Sequence, residues 1–290
     1  MRCVAEPDLP GYAERVLPHL LRDPVRNNVA ATIIMSRRDG VVPTEPDALW
    51  LRVDGAAGDL AGVALCTPPY GLLVTDMPDA AVDPLADHVA THRPTLSTVD
   101  GPVAVADRFA WRYCEHIGTA PRATRESRMY HLDQVAPPRG IPGRLRAATA
   151  ADRDLLVQWS AAFSAEALPP ARPNNPALTI DSKLAHGGLI WIWTLDAEPV
   201  SMSYLSVAAA GVVRVSGVYT PPELRGRGYA SAGVAATSQR ALDAGAVACM
   251  LYTDLANPTS NKIYQRIGYR PVADTRQWSL TQRQPAVSRA

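Results

Sequence analysis

Lysine is nearly missing from this sequence. Of 29 basic residues only Lys183 and Lys262 are lysines, and arginine supplies the rest. Together with abundant alanine and proline, the skew reads as high-GC coding bias. The 28 acidic residues bring the formal net charge to +1. No basic surplus is left for a polyanion, which argues against nucleic acid as the partner. No apolar run approaches the roughly 18 residues of a membrane-crossing helix. The N-terminus, Met1 to Tyr12, carries acids and prolines where a secretory leader needs a basic and then an apolar stretch. The expected compartment is the cytoplasm, with no membrane partner. Cysteine is scarce too. Cys3, Cys66, Cys114 and Cys249 are scattered with no CxxC, which excludes a disulfide framework and fits a reducing compartment. Neither lysine completes a GxxxxGK[ST] loop, no GxGxxG opens a βαβ unit, and HExxH and GxSxG are absent.

What is present suffices for large cores. The chain has 290 residues, 47% hydrophobic and 20% charged, and at roughly 150 residues per domain it predicts two domains. The segment Ala136-Pro137-Pro138-Arg139-Gly140-Ile141-Pro142-Gly143 cannot sit inside a helix or a central strand. It divides the chain into expected domains 1–136 and 137–290. The halves echo each other. Leu49 to Gly55 resembles Ile190 to Ala197, and Ile117-Gly118-Thr119-Ala120-Pro121 resembles Ile267-Gly268-Tyr269-Arg270-Pro271. A duplicated fold follows as the expectation.

The second half reads as a strand at Leu145–Ala147, a helix from Asp152 to about Leu168 and a Pro/Asn-rich loop over Pro169–Pro176. A short helix then ends near His186. Strands follow at Leu189–Leu195, Ser201–Val207 and Val212–Thr220. A helix runs from after Arg227 to Ala244, with a strand at Ala248–Asp254, a helix from about Thr259 to Ile267 and a last strand around Arg276–Leu280. The fold class is mixed α/β, of α+β type: two lobes, each a central, mostly antiparallel sheet flanked by helices.

One stretch carries chemistry: Val218-Tyr219-Thr220-Pro221-Pro222-Glu223-Leu224-Arg225-Gly226-Arg227-Gly228-Tyr229-Ala230-Ser231. It reads as a strand, a glycine-rich turn and a helix N-terminus. Such a turn aims several N–H groups into one concavity, and the helix dipole adds partial positive charge. Glycine is needed because a side chain would block phosphate oxygens. The physical reading is a pyrophosphate cradle.

The stretch resembles the [Q/R]xxGxG/A signature of the GCN5-related N-acetyltransferase (GNAT) superfamily, through Arg225, Gly228 and Ala230. The resemblance extends over about residues 143–280. It implies acetyl-CoA as co-substrate and no metal. Val218, Tyr219 and Thr220 would face the pantetheine arm and thioester, and Gly226, Arg227, Gly228, Tyr229, Ala230 and Ser231 would hold the pyrophosphate. The segment Leu251 to Tyr269 is similar to the family's strand, Asn, seven-residue step to Tyr, then Gly-aromatic. Asn257 would contact the pantetheine region and Tyr264 would protonate the departing thiolate. A ring packed on the adjacent strand is the alternative for Tyr264.

The implied reaction is attack of an amine on the thioester carbonyl in a ternary complex, where proximity supplies effective concentration and a backbone N–H near Thr220 stabilises the oxyanion. The general base is less defined. Many relatives carry Glu at the position of Tyr252. Asp254, two residues on, shares its strand face and is the first candidate, against a structural turn role. Glu166 is the second. It shares a helix face with Trp159 and Phe163, against a merely solvated position. Tyr219 and Tyr229 border coenzyme A or fill a sheet–helix seam. Glu223 reads as a turn residue, Cys249 as core, and His88 with His92 as an exposed helix face rather than metal ligands.

The first half departs from the pattern. Leu72 to Ala81 stands where a cradle belongs, without Arg-x-x-Gly-x-Gly and with two aspartates. Its expected work is packing, either completing the acceptor groove or supporting a homodimer. The layout, with an active C-terminal half, is similar to mycothiol synthase-type enzymes and fits an actinobacterial source. The leading expectation is acetyl transfer to a small-molecule primary amine. The alternatives are acetylation of protein or peptide amines, and a coenzyme A-binding regulator without turnover.

Overall fold

The computed structural model describes residues 1–167 and 175–281; most of the loop expected over Pro169–Pro176 lies outside the described residues. Two compact units form. One holds Met1–His19, Ile33–Ser127 and the described residues from Asp274 on, and the other holds Leu20–Thr32 and Arg128–Ala273. They differ from the consecutive halves 1–136 and 137–290, because residues 20–32 and 128–136 join the second unit and the described residues from Asp274 on join the first.

The first unit begins with β1 (Arg2–Ala5), α1 (Leu9–Leu20), α2 (Asn28–Arg38), β2 (Leu49–Asp54), β3 (Leu60–Cys66) and β4 (Leu72–Val74). It continues with α3 (Asp79–His92), β5 (Thr98–Pro102), α4 (Val103–Ile117) and β6 (Arg122–Leu132). Among these elements, boundaries between units fall inside α1, α2 and β6. The order β1-β2-β3-β4-β5 is antiparallel except for the parallel β4–β5 pair. Apolar residues three and four apart on α3 and α4, among them Val82, Leu85, Phe109 and Tyr113, pack on Leu51, Val53, Val74 and Val99. Between β4 and α3 there is no glycine. The Thr75 hydroxyl donates to Val63 O at 3.0 Å, and Asp79 in the first turn of α3 faces Arg108 at 3.5 Å.

The second unit contains β7 (Arg144–Ala147), α5 (Arg153–Ala167), α6 (Pro176–His186), β8 (Ile190–Leu195), β9 (Glu198–Leu205) and β10 (Val212–Tyr219). Then come α7 (Tyr229–Asp243), β11 (Ala248–Asp254), α8 (Pro258–Arg266) and β12 (Arg270–Ser279). These fall within a few residues of expectation except β12, which begins well before Arg276; Pro271 and Asp274 hid its start, since neither favours a strand. Strands β7-β8-β9-β10 are antiparallel, β10–β11 is parallel, and β6 is the other neighbour of β11.

Strand alternation gives this sheet two apolar faces. One packs Ile190, Ile192, Met202, Tyr204 and Tyr219 under Leu156 and Trp159 of α5 and Ile180 of α6. The other packs Leu205, Val213, Val215, Cys249 and Leu251 under Val234, Ala235 and Ala241 of α7 and Tyr264 of α8.

The exchanged segments have physical causes. Arg214 interrupts a run of valines, and a guanidinium taken into the fold must find acceptors. Asn28 Oδ1 and Thr32 Oγ1 of α2 each accept from it at 3.3 Å, while Asn28 Nδ2 donates to Val212 O at 3.1 Å. These bonds tie Leu20–Thr32 to the second unit. At the other end, Thr275–Ser279 of β12 pair antiparallel with β5, and Trp278 Nε1 donates to Asp107 at 2.8 Å. Residues Thr275–Ser279 therefore belong to the first unit.

Candidate active site

The central feature is a parting of two parallel strands. β10 and β11 are in register only over Val212↔Ala248, Val213↔Cys249 and Arg214↔Met250. Beyond Arg214, β10 runs on to Tyr219 with a partner on its β9 side only, and its register there shifts between Ser216 and Tyr219. Gly217 sits in this irregularity at φ 57, and any side chain would strike the Tyr204 ring. The edge of β10 that carries Val218 and Tyr219 is thereby open.

The strand leads into the glycine turn. Gly226 and Gly228 have φ of 77 and 83, a region that L side chains disfavour. A Cβ on Gly226 would meet nothing within 4 Å, whereas one on Gly228 would lie 2.6 Å from Ile141 Cδ1. No side chain caps the N-terminus of α7. Among the described residues, no acceptor meets the backbone N–H groups of Gly226, Arg227, Gly228, Tyr229, Ala230 or Ser231. Six successive unmatched amides at a helix N-terminus make a concavity for an anion. The N–H of Thr220 likewise meets no acceptor among the described residues. Its hydroxyl donates to Ser201 Oγ at 2.9 Å, and Ser201 in turn donates to Tyr219 O at 2.9 Å, so the end of β10 is pinned from β9.

The charged residues around the turn are engaged with one another. Arg225 Nε donates to Thr220 O at 2.9 Å, its guanidinium lies 5.7 Å from the centre of the Tyr219 ring, and its NH2 meets Glu166 at 2.7 Å. The signature arginine therefore links α5 to the end of β10, a contact that spacing alone does not show. Arg227 donates to Glu223 O at 3.4 Å, which places Glu223 in the turn itself. Tyr229 is buried with Trp193 and Ala232 in the seam under α7, and Tyr219 lies 6.1 Å from Trp159.

The other expected residues lie at the end of β11 and on α8. Asp254 Oδ1 accepts from Ala256 N at 2.7 Å, so the carboxylate shapes the turn after β11. Asn257 caps α8, accepting from Ser260 N at 3.0 Å. Its side chain therefore already has a structural task. Tyr264 is 8% exposed, edge-on to Tyr269 at 6.0 Å, and in the cluster of Val213, Val215 and Leu251 beneath the parting strands. Burial pushes its phenol up to about 12. Cys249 is fully buried and its thiol is pushed up to about 11 by desolvation. His88 and His92 stack at 4.2 Å on α3, and no cluster of three metal-ligating side chains occurs among the described residues.

Two cations on the α5–α6 face escaped the sequence reading. Lys183 Nζ donates to Leu205 O at 3.3 Å and lies 5.3 Å from the centre of the Tyr204 ring. Arg214 N donates to the hydroxyl of Ser206, the residue after Leu205, and its carbonyl accepts from Ser206 N, each at 2.9 Å. The available signal was a charge in the valine run 212–215 and the rarity of lysine. A shallow surface depression of about 380 Å³ beside Gly143 and Asp196 lies on the β7–β8 edge and gathers no reactive group.

Residues 153–269 match the sequence model of an acetyltransferase family, which defines the class of this domain as an acetyl-transferring enzyme. The family is GNAT, and the chain carries a domain of it over those residues. No curated protein matches the chain. Among solved structures, a GNAT-family acetyltransferase from Colwellia psychrerythraea is similar with TM-score 0.62 and 10% identity, over 97% of this chain and 100% of that one. A GCN5-related N-acetyltransferase from Sphaerobacter thermophilus is similar with TM-score 0.60 and 16% identity, over 97% and 96%. A tandem GNAT protein from the clavulanic acid biosynthesis pathway is similar with TM-score 0.55 and 11% identity, over 98% and 99%. At such identities the likeness is one of fold, and none of the three is described as a mycothiol synthase.

Proposed function

We propose that this protein transfers the acetyl group of acetyl-CoA to the primary amine of a small molecule, by direct attack in a ternary complex. The observation that carries the reading is the run of six unmatched amides from Gly226 to Ser231 beside the open edge of β10. Main-chain donors at a helix N-terminus suit a diphosphate, and the empty space at Gly226 lets its oxygens approach. When bound, acetyl-CoA supplies an acyl thioester.

The remaining work belongs to the chain. Val218 and Tyr219 offer backbone groups along the open edge, Asn257 flanks it, and the Thr220 N–H is a donor for charge developing on the carbonyl oxygen. Tyr264 holds its proton firmly and serves as the acid for the leaving thiolate. Asp254 is the first choice as base, and Glu166, tied to Arg225, is the second. Nothing comparable to the cradle stands between β4 and α3, which favours a packing role for the first half.

Calorimetry of the full chain tests the reading. Acetyl-CoA should bind, and thiol release should follow with small primary amines. If acetyl-CoA shows no affinity, the reading fails. Tight binding with no turnover on any amine or peptide would instead identify a coenzyme A-binding regulator.

A further inference from the structure

Arg214 and Lys183 form a pair of cations with nothing negative beside them. Among the described residues, neither reaches a carboxylate. Arg214 is held by the neutral oxygens of Asn28 and Thr32, and Lys183 by the carbonyl of Leu205. Both side chains are half-buried, so they are withdrawn from bulk water yet reachable. The arrangement contrasts with other arginines among the described residues, such as Arg52, Arg108, Arg146 and Arg270, which meet Glu or Asp. Desolvation and then the neighbouring guanidinium push Lys183 down to about 8. A like-charge pair away from water is unfavourable unless an anion arrives.

Position gives the pair a purpose. Arg214 is the last residue of β10 in register with β11, so it stands at the apex of the opening. Lys183 belongs to α6 and lies over Tyr204, on the face that also carries Trp159, Tyr219 and Glu166. We propose that the acceptor amine carries a carboxylate on the same molecule, and that Arg214 and Lys183 receive it on the α5–α6 face. The substrate class is then an amino acid rather than a plain amine. This inference rests on the acetyltransferase reading above, which brings the amine to that face. Arg214 and Val218 are four residues apart on β10, at most about 13 Å for an extended strand, so a chain of several carbons between amine and carboxylate fits better than an α-amino acid. Asn28 and Thr32 hold the guanidinium without neutralising it, which makes α2 a positioning element for specificity.

The test is calorimetric titration of the full chain, with and without coenzyme A. The probes are glycine, 4-aminobutanoate, 5-aminopentanoate and 6-aminohexanoate, each against its primary amide. At least one acid should bind about ten-fold or more tightly than its amide, with the preference largest for the longer members. Lys183→Met and Arg214→Gln, checked by thermal melting, should each erase most of that preference and leave acetyl-CoA affinity unchanged, while Lys183→Arg should keep it. If no acid outbinds its amide, or if the preference survives in both variants, the proposal is overturned. Failure to bind acetyl-CoA is a separate outcome that sinks only the transferase reading, because acid-over-amide preference is read without it.

Discussion

Replacing Tyr264 with Phe removes one oxygen from a packed ring. Among the described residues, no hydrogen-bond partner of the hydroxyl occurs. Its removal orphans no donor or acceptor, and stability should change by less than about 1 kcal/mol. The kinetic effect follows from the environment. Burial raises the phenol to about 12, so it stays protonated throughout the assay range and adds no alkaline limb to the pH profile. The same shift makes it a reluctant donor. Toward a thiolate of pKa about 8.5, complete transfer is uphill by roughly 5 kcal/mol, so the gain must come from partial transfer as the C–S bond breaks. The expected loss in kcat is about ten-fold, or ~1.4 kcal/mol, at or below the low end of ~10² to 10⁴ usual for positioned acids. Thiol release from acetyl-CoA at saturating amine measures it, with calorimetry confirming unchanged cofactor affinity. An unchanged kcat in a variant that melts like the parent would return Tyr264 to a packing role. A loss confined to KM would point to binding instead.

Three further outcomes are expected. Gly228→Asp should abolish acetyl-CoA binding in calorimetry, since it puts a side chain at φ 83, pushes against Ile141 and adds negative charge to an anion site; retained affinity would mean the cradle lies elsewhere. Asp254→Asn keeps the acceptor for Ala256 N, so it should melt normally yet lower kcat on the order of 10²-fold if Asp254 is the base, and an unchanged rate leaves Glu166→Gln as the next test. Asp152, 10% exposed at the side chain and bidentate with Arg146 at 2.7 Å, has its carboxyl lowered from 3.8 to about 2 by Arg146 and the Thr149 cap. Its contribution, about 2 kcal/mol, is present above pH ~3.8 and lost as pH falls through about 2. Asp152→Asn should therefore destabilise at neutral pH by that amount and converge with the parent in acid, as urea titrations would measure.

The second unit was legible because its signals are local. Alternation in Ile190–Leu195, the glycines before α7 and the Asn257 cap each act over a few residues, and the elements fall near their expected ends. The division of the chain was not legible. A Pro/Gly linker marks a break in regular structure and carries no information about which distant strand accepts which edge, so Asn28 reaching Val212 and Trp278 reaching Asp107 have no sequence signature. The site divides similarly. Arg225 was recognisable from spacing, but its engagement with Glu166 and Thr220 depends on how α5 lies against β10. The stretch from Ala136 to Gly143 read only as a linker between domains. In the fold it is fastened, with Ala136 N donating to Ile267 O at 2.9 Å, Trp193 Nε1 donating to Pro142 O at 3.1 Å, and Ile141 against Gly228.

The exchange of segments has a consequence for biosynthesis. A ribosome delivers Thr275–Ser279 only after all the strands of the second unit's sheet, yet these residues complete the sheet that β1 to β5 begin. The lobe that β1 to β5 begin must therefore wait, one strand short, until β12 has been made. Scissors placed at the proline-rich connector would cut each lobe off from a piece of itself, so neither product should be a self-sufficient enzyme.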